Sequence, residues 1–132
     1  MIARGFTLLE MMVVCIIITV LASIAYPSYA SYLQKTRRAE GKAALLAAAL
    51  QMERHMTERS TYATASLGPG GVYPNHSENS VYTLAFSSLS ATSFVIRANP
   101  VGAQNDDICG ALTYNDSGVK GVTGVAPVSS CW

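Results

Sequence analysis

Glu10 is the one charged residue in an apolar stretch that runs from Phe6 to Ala25. A carboxylate in hydrocarbon costs several kcal/mol unless something compensates it, so an intramembrane acid normally has a partner. Other residues that could do chemistry are sparse. Asp106 and Asp107 adjoin Cys109, but they lack the alternating oxygen ligands of a calcium loop and read as turn-capping, solvated acids. His55 sits in MERHMTER near Glu58, with no cysteine or second histidine at ligand spacing on its helix face. It is expected to be solvent-facing or half-buried, and His76, in a turn-rich segment, to lie on the surface. Gly68-Pro69-Gly70-Gly71 lacks the lysine and the following helix of a phosphate-binding loop. No Ser/His/Asp signature is present. These residues argue against an enzyme, and no catalytic residue, metal site or cofactor is assigned.

The cysteines carry a second kind of chemistry. Cys15 lies within the apolar run and reads as a small apolar residue of a membrane helix, while Cys109 and Cys131 frame the C-terminal segment. An even pair in a compact distal region points to a disulfide, provided that region meets an oxidising compartment. Closing such a loop would stabilise the fold by roughly 3 kcal/mol in the chain-entropy account.

Several elements must position these groups. Residues 6–25 form a helix about 30 Å long at ~1.5 Å per residue, enough to cross a bilayer. The run is too long for a secretory signal peptide and has no clean small-residue cleavage site. Arg4 precedes it and Lys35, Arg37 and Arg38 follow it, so charge leaves the orientation open; the cysteine pair points to an external C-terminus. Helix-forming residues continue to Arg59. Pro27 is the expected break and Gly41 a second weak point. Ala39, Ala43, Leu46 and Leu50 share one face, expected to pack on a sheet, and Leu45, Ala48, Ala49 and Met52 form a second apolar strip. Residues 60–80 are rich in Gly, Pro, Asn and Ser and read as loop. Alternation in VYTLAFSSL and TSFVIRANP, and the turn signal Asn115-Asp116-Ser117-Gly118 after CGALTY, predict three or four antiparallel strands. Trp132 is expected to cover a bare edge of the core. The fold class is α+β, a roll of strands laid on a long helix.

Gly5-Phe6-Thr7-Leu8-Leu9-Glu10, directly before the long apolar helix, resembles the signature of the type IV pilin family. The resemblance implies that a prepilin peptidase cuts between Gly5 and Phe6 on the cytoplasmic side and that Phe6 is then N-methylated. It also implies subunit assembly through Glu10, four residues beyond Phe6. In a helical filament, the glutamate of one subunit would meet the N-terminal ammonium of a neighbour and offset the desolvation of both. The implied organisation is a leader over 1–5, a transmembrane and assembly helix over 6–27, an amphipathic second half over 28–59, and a loop-and-sheet domain with a disulfide-bounded end over 60–132. The implied partners are the prepilin peptidase and N-methylase, other pilin subunits and an inner-membrane assembly platform. The chain would be a single-pass inner-membrane protein with a periplasmic C-terminal domain, and then part of an extracellular filament.

YPSY, RRAEGKAALLAAALQMERHMTERSTY, CGALTYNDSGVKGVTG and the final CW extend the resemblance to minor pilins, including the competence pilin that binds DNA. The expectation is a structural minor pilin that supports pilus assembly, motility and adhesion. A DNA-binding competence pilin and a pseudopilin of a type II secretion system are the alternatives. Six of the nine Lys and Arg residues fall between Lys35 and Arg59, and beyond Ser60 only Arg97 and Lys120 face four acids. Duplex DNA demands several phosphate contacts, so this distribution argues for weak DNA binding or none.

Overall fold

The computed structural model describes residues 5–132. Most of the expected leader, with the charge of Arg4, lies outside the described residues. Helix α1 spans Leu8–Arg59, and the chain divides into two compact units that meet between Leu33 and Gln34. Pro27 lies inside α1, which is helical on both sides of it. The expected break is therefore a missing N–H donor and not an end of the helix. The helix stops where Ser60 takes a left-handed φ of 56° and its N–H bonds back to the Met56 carbonyl at 2.7 Å. Such a residue commonly closes a helix C-terminus.

In the unit Gln34–Trp132, the helix packs on a four-stranded antiparallel sheet. Strands β1 (Tyr82–Leu89), β2 (Phe94–Pro100), β3 (Leu112–Asn115) and β4 (Lys120–Val122) lie side by side in that order. The face of α1 that covers the sheet differs from expectation. Leu45, Ala48, Ala49 and Met52 are buried, whereas Ala39, Ala43, Leu46 and Leu50 are exposed. Both strips have helical spacing, so periodicity alone cannot choose between them. The buried strip meets the inward side chains Tyr82, Leu84, Phe94, Ile96, Ala98 and Leu112 in one core. The strand alternation holds, because these six lie at alternate positions and share one side of the sheet.

Residues 60–80 form an ordered connection. Gly68 and Val72 donate their N–H groups to the carbonyls of Tyr73 and Ser66, and His76 bridges to Thr83 on β1. The turn between β3 and β4 forms as expected: Gly118 has φ 77° and the Val119 N–H reaches Asn115 Oδ1 at 2.7 Å. A short helix, α2 (Val128–Cys131), ends the chain, and the Trp132 indole N–H donates to the Gly121 carbonyl at 3.0 Å. Trp132 thereby packs against the core cluster beside β4, with its ring 6.0 Å from that of Tyr114.

Gly41 proves to be a contact point as well as a weak helix former. A Cβ there would stand 2.8 Å from Cδ2 and 2.9 Å from Cε2 of Tyr82. Tyr82 is fully buried and its hydroxyl accepts a bond from Gln104 Nε2 at 3.1 Å, so the ring cannot retreat freely. Gly41→Ala gains about 1 kcal/mol in helix propensity, but overpacking of a tight core costs about 1–3 kcal/mol. The expected outcome is a net loss of stability, seen as a fall of several degrees in thermal midpoint. A rise in the midpoint would show that the Tyr82 ring adapts without cost.

Candidate functional site

The first compact unit holds the residues on which processing and assembly would act. Gly5 and Phe6 are exposed ahead of α1. Thr7 begins the helix, its Oγ1 accepting the Glu10 N–H at 3.2 Å. This is an N-cap bond, and Thr7-Leu8-Leu9-Glu10 has the spacing of a capping box. That local signal, legible in the sequence, adds a second reason for an acid at position 10: it lies in the first turn, where the helix dipole favours negative charge. On both sides of Glu10 the apolar side chains are unburied, with Leu8, Leu9, Ile16, Leu21 and Ile24 each at least 60% exposed. Cys15 is a free, exposed thiol on this stretch. Such a surface requires lipid or other apolar helices around it.

The distal unit is held at its end by Cys109 and Cys131, joined in a disulfide with their Cα atoms 5.9 Å apart. Beside it lies a buried polar cluster. Arg38 Nη2 reaches Asp107 Oδ1 at 2.5 Å and Arg38 Nε reaches Oδ2 at 3.0 Å, a two-pronged ion pair across 69 positions. Gln104 Nε2 donates to Asp107 Oδ2 at 2.7 Å, and the Cys109 N–H donates to Oδ1 at 3.1 Å. Arg38 Nη1 also reaches the Ser130 carbonyl at 3.4 Å. The cluster therefore ties α1 to both ends of the disulfide-bounded segment. Asp107 is thus not a solvated acid, although it caps a turn as expected; Asp106 stays exposed. Burial pushes the Asp107 carboxyl upward, but the bonds from Arg38, Cys109 and Gln104 and the charge of Arg38 outweigh it and hold the group below its ordinary value. The hydrogen bond to Asp107 likewise raises the Arg38 pKa against the opposing effect of burial.

His55 is half-buried and hydrogen-bonds Thr64 Oγ1 at 3.0 Å, while His76 lies exposed. Both placements follow the sequence reading. The remaining cations are dispersed. Arg54 pairs with Glu58 at 3.0 Å on the helix surface, and Lys120 Nζ lies 5.3 Å over the Trp132 ring. Lys42 is held below its ordinary pKa by burial and by the charges of Arg38 and Lys120. Arg97 stands on the sheet face opposite the core, alternating with the buried Ile96 and Ala98.

A long N-terminal helix with an exposed apolar first part, an antiparallel sheet packed on its second part, and a C-terminal disulfide together define a type IV pilin fold. A model of the prokaryotic N-terminal methylation motif matches residues 1–26, and one described as type IV minor pilin ComP, DNA uptake sequence receptor, matches residues 27–113. The chain belongs to this ComP family of type IV minor pilins. Type IV pilins are a structural, non-catalytic class, and the first part of α1 is the single helix among the described residues long and apolar enough to serve as their inner-membrane anchor.

The non-core minor pilin PilV of Neisseria meningitidis has a similar structure, with a TM-score of 0.60 and 26% identity over 76% of this chain and 95% of that one. A type IV pilin from Shewanella oneidensis shares the fold at a TM-score of 0.54 and 22% identity, over 75% of this chain and 97% of that one. The type II secretion system core protein G of Dickeya chrysanthemi is 35% identical over 69 residues, 52% of this chain. The match spans 45% of that protein's length.

Proposed function

We propose that this chain is a DNA-receiving minor pilin, which is cut between Gly5 and Phe6, methylated at Phe6, drawn into a pilus at the assembly platform and exposed there to external DNA. The observation that carries this reading is the match of residues 27–113 to the DNA-receptor pilin family. It reverses the order of the expectations from sequence, in which sparse distal cations argued against DNA. Their number is small, but Lys42, Arg97 and Lys120 belong to the folded distal unit and none of them pairs with an acid among the described residues. In the same reading, Glu10 of an incoming subunit meets the Phe6 amine of its neighbour.

A direct test uses the full-length processed protein in detergent with fluorescently labelled duplex DNA. Binding should be measurable at about 50 mM salt and should weaken steadily as salt rises, because each neutralised phosphate releases counterions. No binding at low salt would overturn the DNA-receptor reading and return the chain to a purely structural role in the filament. Similarity to the secretion protein of Dickeya chrysanthemi supports a pseudopilin reading less well, since it covers half of this chain and the DNA-receptor family covers most of the distal unit.

A further inference from the structure

The outer face of the sheet carries one side chain that the fold itself does not use. Arg97 sits at the centre of β2. Its Nε is shielded from solvent yet has no hydrogen-bond partner, and it takes part in neither ion pair formed among the described residues. A guanidinium that is partly buried and unpaired, on a strand fixed between two neighbours, is prepared for an anion: its charge has no partner among the described residues, and the Nη groups, which are not among the buried unpaired atoms, are the ones an anion can reach.

Its surroundings narrow the anion. Arg97 stands opposite Ala85 on β1 and Thr113 on β3, and Thr113 stands opposite Gly121 on β4. In the next row of the same face Thr83 stands opposite Asn99. Directly opposed residues in antiparallel strands project to one side, so these rows surround a single cation with small and uncharged groups and contain no carboxylate. Ala85 leaves one flank low. Gly121 does the same on the far strand, where even a Cβ would come within 2.5 Å of Thr113 Oγ1. A flat face with one guanidinium, hydroxyls and an amide matches the sugar-phosphate backbone, which proteins hold by such side chains together with Arg and Lys.

We infer that Arg97 is a phosphate-contacting residue and that the DNA backbone lies on the outer face of the β1–β4 sheet. This rests on the DNA-receptor reading and adds the surface and the mode of contact. Contact through phosphate predicts affinity without sequence choice at this position. Any selection among DNA sequences would come from other parts of the subunit.

The experiment measures duplex binding by full-length protein in detergent, across a salt series, for wild type, Arg97→Gln and Ala85→Glu. Arg97→Gln is expected to weaken binding about five- to tenfold, equally for unrelated sequences, and to reduce the slope of log affinity against log salt by about one. Ala85→Glu places an acid opposite Arg97 on an exposed position, leaves the core untouched, and should weaken binding at least as much. It decides the matter if Arg97→Gln fails to fold. Wild-type binding with unchanged affinity and slope in whichever of these variants folds would overturn the sheet-face assignment while leaving the DNA-receptor reading intact. Absence of binding by wild type would overturn both.

Discussion

Asp107→Ala is expected to destabilise the distal unit by about 3–5 kcal/mol, because it strands the Arg38 guanidinium in a site where only 10% of its side chain remains exposed. The loss is larger than that of an ordinary surface ion pair because Asp107 also holds Gln104 and the Cys109 N–H. Thermal unfolding followed by the fluorescence of Trp132, the single tryptophan, should show the midpoint falling by on the order of 10 °C or more. Arg38→Met combined with Asp107→Leu should recover much of the loss, since removing both charges leaves neither unpaired. If Asp107→Ala alone were as stable as wild type, water would be reaching Arg38 and the cluster would not be a lock. The pH dependence has a definite sign. The folded pKa of Asp107 lies below the unfolded value, so its contribution is fully present above the ordinary carboxylate range. It is lost as pH falls through the depressed folded value. Wild type should therefore lose stability on acidification, and Asp107→Ala should show less of that loss.

The second large effect concerns Glu10. Glu10→Ala should leave membrane insertion normal or improved, because it removes a charge from an apolar helix. Its recovery in sheared filaments, relative to membranes at equal expression, should fall at least about tenfold, since an incoming subunit would leave the Phe6 ammonium of its neighbour without a counter-charge in an apolar core. The N-cap bond from the Glu10 N–H to Thr7 supplies a control. Glu10→Gln keeps the glutamine allowed by a capping box and removes only the charge. If assembly depends on charge, Gln should fail like Ala; if it depends on starting the helix, Gln should assemble and Thr7→Ala should fail. An unchanged filament-to-membrane ratio for Glu10→Ala would end the pairing account.

The division of labour between sequence and tertiary structure follows from the range of the interactions involved. Local patterns were sufficient for everything whose cause lies within about a turn or a strand. The long apolar run, strand alternation in residues 82–89 and 94–100, and the Asn-Asp-Ser-Gly turn all act through neighbours a few positions apart; the Thr7-x-x-Glu10 helix start is equally local but went unread until the structure showed its N-cap bond. The pairing of Cys109 with Cys131, 22 positions apart, was legible for a different reason: two cysteines near one end of a compact region have few alternatives. What sequence left open was every choice between equivalent local patterns. Two apolar strips on α1 carried the same period, and only the sheet selected Leu45, Ala48, Ala49 and Met52 over Ala39, Ala43, Leu46 and Leu50. Asp106 and Asp107 were indistinguishable as letters. Arg38, 69 positions away, buried one and left its neighbour in solvent. Arg97 read as one strand cation among few, and only the register that surrounds it with Ala85 and Thr113 made it an unpaired charge on a flat face. Each of these outcomes depends on which side chains meet across the fold, and a linear pattern carries no term for contacts between residues that lie far apart along the chain.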